Sequence, residues 1–169
     1  MNIEIERKFL ISNPEWKIAA GVTDAGVLYQ QGYLSTQDNS TVRVRTAGDL
    51  GYLTIKGSTI GISRSEFEYE IPYADAVVLL RDFCKNKIIK KRYKVPYEGP
   101  ITQSKNIWEV DEFLEENQGL IIAEIELESK HQSFSLPPWI GKEVSFDTRY
   151  YNSNLACNPY SAWGIKTQQ

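Results

Sequence analysis

With 169 residues, 41% of them hydrophobic and 24% charged, the chain has the composition of a soluble globular protein and enough apolar surface for a self-sufficient core. A net charge of −3 provides no general attraction to nucleic acid or to an anionic membrane, so any anion-binding surface must be local. No basic segment leads into an apolar stretch at the N-terminus, and nowhere do about eighteen apolar residues run together, so a cytoplasmic protein with neither a nucleic-acid nor a membrane partner is expected. Cys84 and Cys157 are far apart and have no neighbouring histidine, which predicts two buried thiols rather than a disulfide or a zinc site. Asn39-Ser40-Thr41 matches the glycosylation tripeptide, but without a secretion signal it reads as a chance match.

The first element, residues 3–11, alternates strictly. Ile3, Ile5, Phe9 and Ile11 fall on one face, and Glu4, Glu6, Lys8 and Leu10 on the other. Glu4 and Lys8 also stand four apart, a spacing that supports an exposed helix, but the β-type alternation is the stronger signal. Arg7 falls on the apolar side, where it must either snorkel to solvent or pair with an acid outside. After Asn13-Pro14 a helix is predicted, with Asn as its cap and Pro at the first helical position.

Further strands are predicted at 29–34, 41–45, 52–56 and 64–71, then at 88–95, 107–113 and 120–128, giving eight in all. A second helix is expected over 73–84, with Val77, Leu80 and Phe83 near one stripe. The links Gly48–Gly51, Pro96–Pro100 and Asn117–Gly119 are turn formers, and such short links imply hairpins and antiparallel pairing. After Glu128 the pattern changes, and residues 129–169 read as a short helical tail on the strands of 1–128, all within one domain.

Strand after strand carries a charged face opposite an apolar one. Acids recur two apart as Glu4 and Glu6, Glu109 and Asp111, and Glu124 and Glu126, while Lys8, Arg43, Arg45, Lys56, Lys90 and Arg92 supply the cations. A solvated outer face with weak cross-strand pairing would explain any one of these pairs. Repeated over six strands, they point instead to a curved eight-stranded sheet whose apolar faces pack outward and whose charged faces line an interior cleft or tunnel. Arg64 and Glu66 share the inward parity, Glu68 is a weaker candidate, and Glu70 and Glu128 lie at strand ends as rim residues.

A dry lining of this kind would be costly, so it must be wet, internally neutralised or filled by a ligand. Paired carboxylates offer hard oxygen donors suited to Mg²⁺ or Mn²⁺, and arginine forks with lysine point charges suit phosphate. The combination reads as a site for a divalent metal bound to a highly charged phosphate chain. No P-loop, dinucleotide fingerprint or nucleophile–histidine arrangement is present, and the single histidine, His131, is expected at the surface.

These residues resemble the CYTH superfamily of triphosphate tunnel metalloenzymes over essentially the whole chain. Its E-x-E-x-K signature is matched by Glu4, Glu6 and Lys8, its R-x-R by Arg43 and Arg45, its strand lysine by Lys56, and its K-x-R by Lys90 and Arg92. The acidic strand is matched by Glu109 and Asp111, and the last E-x-E by Glu124 and Glu126. The run Asp147 to Ala156 is similar to the ending of small bacterial members, many of which hydrolyse inorganic tripolyphosphate.

The resemblance implies a mainly β (α+β) fold, an eight-stranded antiparallel barrel forming a tunnel with helices packed outside. It implies Glu4, Glu6, Glu109, Asp111, Glu124 and Glu126 as metal ligands. It implies Lys8, Arg43, Arg45, Lys56, Lys90 and Arg92 as triphosphate binders, to which parity adds Arg64. Glu4, Glu6, Lys8, Glu124 and Glu126 form the catalytic centre in this reading, with Glu124 and Glu126 on a wall opposing Glu4 and Glu6. Arg149 and Tyr150 are expected to close the tunnel, with Arg149 reaching the substrate. The implied activity is hydrolysis of tripolyphosphate to diphosphate and phosphate by metal-activated water, with Mg²⁺ or Mn²⁺ as cofactor. Three alternatives stand beside it: an adenylyl cyclase making cyclic AMP from ATP, a thiamine or nucleoside triphosphatase using Tyr33, Trp108 or Trp139 as an aromatic platform, and a non-catalytic polyphosphate or nucleotide binder. A homodimer is admitted but not required.

Overall fold

The computed structural model describes residues 3–19, 26–36, 40–100 and 106–164. The strands are β1 (Ile3–Ile11), β2 (Val27–Ser35), β3 (Thr41–Ala47), β4 (Leu50–Lys56), β5 (Ser63–Ile71), β6 (Lys87–Tyr97), β7 (Asn106–Phe113), β8 (Ile121–Glu126) and β9 (Ile140–Glu143). The helices are α1 (Trp16–Ala19), α2 (Tyr73–Asp82) and α3 (Asn152–Cys157). The eight predicted strands are all present, and those joined by short links pair as antiparallel hairpins. Between β3 and β4 only Gly48 and Asp49 intervene, and Gly48 takes φ +57°, the left-handed backbone that a two-residue hairpin turn requires.

The sheet runs β5-β4-β3-β2-β6-β7-β8-β1, and β5 pairs with β1 to close it into an eight-stranded barrel. β1 is the closing stave. Along one edge it pairs with β8 from Glu6 to Leu10; along the other it pairs with β5 over Ile3 to Ile5 and with β9 at Phe9 and Ile11. β9 was not expected. It shows that residues 129–169 are not a purely helical tail, since a ninth strand precedes the 3₁₀ turn at Thr148–Tyr150 and α3.

Outside the barrel, Phe9, Trp16, Val95, Trp108, Val110, Ile125 and Trp139 form one apolar core, which covers the outward faces of β1, β6, β7 and β8. α1 is a single turn. Asn13 accepts a hydrogen bond from the Glu15 amide at its start, and Trp16 is fully buried beneath it. α2 lies on β3 and β4 through Ala76 and Leu80, whereas Val77 and Phe83 of the expected stripe remain 38% and 65% exposed. The helix sits so close that a Cβ on Gly51 of β4 would lie 2.8 Å from the Ala76 Cβ. Small residues therefore define its buried face.

The inward face is not charged throughout. At one end Leu10, Ile88, Phe113 and Ile122 occupy inward positions and pack with Val144, Tyr150, Leu155 and Ala156 of the C-terminal segment. This apolar plug fills one end of the interior and limits the charged lining to the remainder. Cys84 is buried as expected, but Cys157 on α3 is exposed. His131 is exposed, and Asn39 lies outside the described residues. Among the described residues no helix is long and apolar enough to cross a membrane.

Candidate active site

The strand alternation turns a set of charged side chains into a cavity of about 670 Å³ inside the barrel. Seven carboxylates and seven cations line it. They are sorted around the wall: Glu109, Glu124, Glu126, Glu4 and Glu6 stand on the contiguous strands β7, β8 and β1, while Arg64, Lys56, Arg43, Arg45 and Arg92 stand on β5, β4, β3 and β6. Glu66 and Glu68 of β5 lie among the cations.

The acids are closer than expected. Glu124 and Glu126 do not face Glu4 and Glu6 across the interior, because β8 is hydrogen-bonded to β1. Glu126 sits directly opposite Glu6, Glu124 opposite Lys8, and Glu109 opposite Glu124. Like charges placed opposite one another destabilise a sheet. Burial, reinforced by Glu124, raises the Glu6 carboxyl above the ordinary carboxylate range. Burial with Glu4 and Glu109 does the same for Glu126, which has no ion-pair partner among the described residues.

The remaining charges answer one another. Glu4 accepts from Lys56 Nζ at 2.9 and 3.1 Å and from Arg64 Nε at 2.6 Å. Burial opposes ionisation of Glu4, but these two cations hold it well below the usual range. Lys8 bridges Glu6 and Glu124, and Arg92 Nη2 reaches Glu124 at 2.6 Å. Lys56 also meets Glu66 at 2.9 Å. Glu68 accepts from Arg43 at 3.2 Å, Arg45 at 3.0 Å and the Thr54 hydroxyl at 2.8 Å. The Nε atoms of Arg43 and Arg45 are buried and have no acceptor among the described residues, which leaves two charged donors unspent.

Three expected residues stand apart from the cavity. Asp111 and Lys90 are wholly buried behind the lining and pair at 2.5 Å, and Arg92 forks onto Asp111 at 2.7 and 2.6 Å. Burial pulls Lys90 down to about 8 despite Asp111. Both share the inward parity, but depth along the strand, which periodicity does not report, removes them from the surface of the cavity. Arg149 is outside altogether. Its exposed guanidinium forks onto Asp147, with Nη2 at 2.6 Å, and lies over the rings of Tyr150 and Trp163. Tyr150 belongs to the apolar plug.

Of the proposed aromatic platforms, Tyr33 lines the cavity, whereas Trp108 and Trp139 are buried in the outer core. Sequence reasoning missed Tyr29 and Tyr52. Tyr29 lies under Arg45 and Arg92 at 5.2 and 5.4 Å, and Tyr52 lies 5.1 Å from Arg45. The signal was available: Tyr29 is four residues before Tyr33 on one strand, and Tyr52 is four before Lys56 on another. Lys94, two after Arg92, was equally legible.

No three carboxylates among the described residues converge on a ready-made metal position. The donor chemistry nonetheless suits a hard divalent ion, since Glu4, Glu6, Glu109, Glu124 and Glu126 offer only carboxylate oxygens to the same cavity. All but Glu126 now pair with lysine or arginine, so an ion held by them would have to displace those cations.

The family model of the CYTH domain matches residues 2–155. An inorganic triphosphatase of Acetivibrio thermocellus is 50% identical over 161 residues, covering 95% of this chain and 97% of its own. An inorganic triphosphatase of Nitrosomonas europaea is 34% identical over 157 residues, covering 90% and 96%. A crystal structure of an inorganic triphosphatase is 31% identical with a TM-score of 0.58, covering 90% of this chain and 93% of its own.

Proposed function

The chain belongs to the CYTH domain family, and from that premise we propose that it is a metal-dependent inorganic triphosphatase that converts tripolyphosphate to diphosphate and phosphate inside the barrel. The observation that carries this reading is the sorting of the lining into a carboxylate sector on β7, β8 and β1 and a cationic sector on β3 to β6, around one cavity. Equal numbers of acids and bases make that cavity neutral. A bare polyanion would meet seven carboxylates, and a bare metal ion seven cations, so the two ligands are accommodated together.

Glu4, Glu6, Glu109, Glu124 and Glu126 would hold Mg²⁺ or Mn²⁺. The bound ion would polarise phosphate oxygens and acidify a water. Arg43, Arg45, Lys56 and Arg64 would turn from their carboxylate partners to the phosphate oxygens, and Arg92, kept on Asp111, would exchange only Glu109 and Glu124 for them, so that all five stabilise charge on the transferring phosphoryl and on the departing diphosphate. Lys8, between Glu6 and Glu124, orients both carboxylates. Asp111 and Lys90 lie behind them and fix the Arg92 fork. Within this reading the C-terminal segment belongs to the same domain, because Val144, Tyr150 and Leu155 fill the end of the barrel.

The test is a panel of tripolyphosphate, ATP, GTP and thiamine triphosphate, each with Mg²⁺ or Mn²⁺, scored for phosphate, pyrophosphate and cyclic AMP. Metal-dependent release of phosphate and diphosphate from tripolyphosphate is expected. Cyclic AMP from ATP as the main product would overturn the assignment.

A further inference from the structure

The two partners on the outer edge of β1 leave a break. β5 pairs with it as far as Ile5, and β9 takes it up again at Phe9, so Glu6 to Lys8 have no strand on that side. This is where Glu6 and Lys8 project into the cavity. Backbone polar groups left unpaired there would let the strand shift. The Glu6 amide donates instead to the Ile62 carbonyl at 3.1 Å. Lys8 is held at both groups: its carbonyl accepts from the Val144 amide at 2.8 Å, and its amide donates to the Ser145 hydroxyl at 2.9 Å.

A hydroxyl has one proton to give. Ser145 Oγ lies 2.7 Å from Glu143 Oε1 and 3.4 Å from the Lys8 carbonyl, so the proton goes to Glu143 and a lone pair is left for the Lys8 amide. Glu143 can only accept, because Arg7 grips it through Nε at 2.8 Å and Nη2 at 2.5 Å, and this pairing holds its carboxyl below the ordinary range. The Arg7 guanidinium is itself seated against the rings of Phe9 and Phe134. The arginine that interrupts the apolar face of β1 thus begins a relay, Arg7 to Glu143 to Ser145 to the Lys8 backbone, which passes from the outside of the barrel to its inner wall.

We infer that Ser145, oriented by the Arg7–Glu143 pair, is a positioning residue that fixes the backbone of Lys8 and so places its ammonium between Glu6 and Glu124. Ser145 is 5% exposed and lines the cavity, but its one proton is committed to Glu143, so it has no donor for a phosphate oxygen and acts through Lys8 and not on the substrate. The inference rests on the triphosphatase reading only for its kinetic consequence.

The test compares the full-length wild type with Ser145→Ala, Ser145→Thr and Glu143→Gln. Hydrogen exchange at the Lys8 amide, thermal melting, and tripolyphosphate hydrolysis as a function of Mg²⁺ are measured on each. In Ser145→Ala, exchange at Lys8 quickens by roughly ten-fold, the loss of one hydrogen bond. Its kcat falls by a similar factor without a matching rise in KM, and Ser145→Thr restores both. In Glu143→Gln the hydroxyl is released toward the Lys8 carbonyl, and Lys8 exchange quickens by less. Unchanged exchange at Lys8 in Ser145→Ala and Glu143→Gln overturns the inference, as does a lowered Tm with kcat per folded molecule unchanged. If Ser145→Ala does not fold, Glu143→Gln decides alone. Wild type that hydrolyses no triphosphate would defeat the proposed function and leave the exchange result to judge the relay.

Discussion

Replacing Glu6 by glutamine should stabilise the metal-free protein and remove its response to metal. Glu6 is largely enclosed and stands directly across from Glu126 in the β1–β8 register. The cost of holding its charge away from water is the larger part, and the Glu124 carboxylate on the neighbouring strand adds to it; repulsion between acids on adjacent strands is on the order of 0.2–1 kcal/mol. Glutamine keeps the shape without the charge, and Lys8 retains Glu124 as its partner. The expected gain is about 1 kcal/mol or more, roughly 2–4 °C in Tm for a chain of this size.

The pH dependence has a definite sign. Folding raises the Glu6 pKa, so the folded state favours the protonated carboxyl. Its contribution to stability is complete below the unfolded carboxylate pKa and is lost as pH rises through the folded value. The advantage of Glu6→Gln is therefore largest at neutral pH and fades as pH falls through the folded pKa of Glu6. Added Mg²⁺ with a non-hydrolysed triphosphate analogue raises the wild-type Tm by mass action and leaves Glu6→Gln nearly unmoved, so the order of the two melting curves reverses. Calorimetry with EDTA and with Mg²⁺ plus analogue, over a range of pH, checks both halves. A variant that melts below wild type in EDTA at neutral pH would refute the account of Glu6 as a residue held at a cost in the empty protein.

Arg43→Ala removes a charged donor whose Nε has no acceptor among the described residues, and should weaken binding of the same analogue by about ten- to a hundred-fold in titration calorimetry. Arg149→Ala should leave kcat/KM within about two-fold of wild type, since Arg149 is exposed and pairs with a half-buried surface acid, Asp147, and such pairs contribute little; a large loss would return Arg149 to the substrate. Leu155→Ala should lower stability by about 2–5 kcal/mol in urea titrations, because a fully buried side chain is deleted from the plug at the end of the barrel.

The eight strands and the sorting of their faces were legible because alternation of two is a local signal, and each short turn told its strands to pair. Alternation assigns a side chain to a face, not to a depth or a neighbour. Leu10, Ile88, Phe113 and Ile122 share the parity of the charged residues, and only register brings them to one end as a plug. Asp111 and Lys90 fall behind the cavity for the same reason. β9 escaped notice because four residues including Gly141 show no alternation, and its pairing with β1 joins segments about 130 residues apart. Arg7 was visible as an anomaly, but its resolution through Glu143, 136 positions away, was not. On α2 Leu80 of the apolar stripe is buried as expected, but Ala76, small enough to meet Gly51, takes the buried place that size alone would assign to Val77.

The dependence of barrel closure on β1 bears on how the protein is made. During synthesis β1 has no hydrogen-bonded strand partner until β5 emerges, and its full complement waits for β8 and β9. Pairing so distant in sequence carries a large loop-closure cost and belongs to the slow end of folding rates. Glu4 meets Lys56 and Arg64, and Lys8 meets Glu124, only when those seams shut. A partly folded chain with its hairpins in place would still lack Glu4 and Glu6 of the acidic sector, so regain of turnover during refolding would report closure of the barrel and not the formation of its sheet.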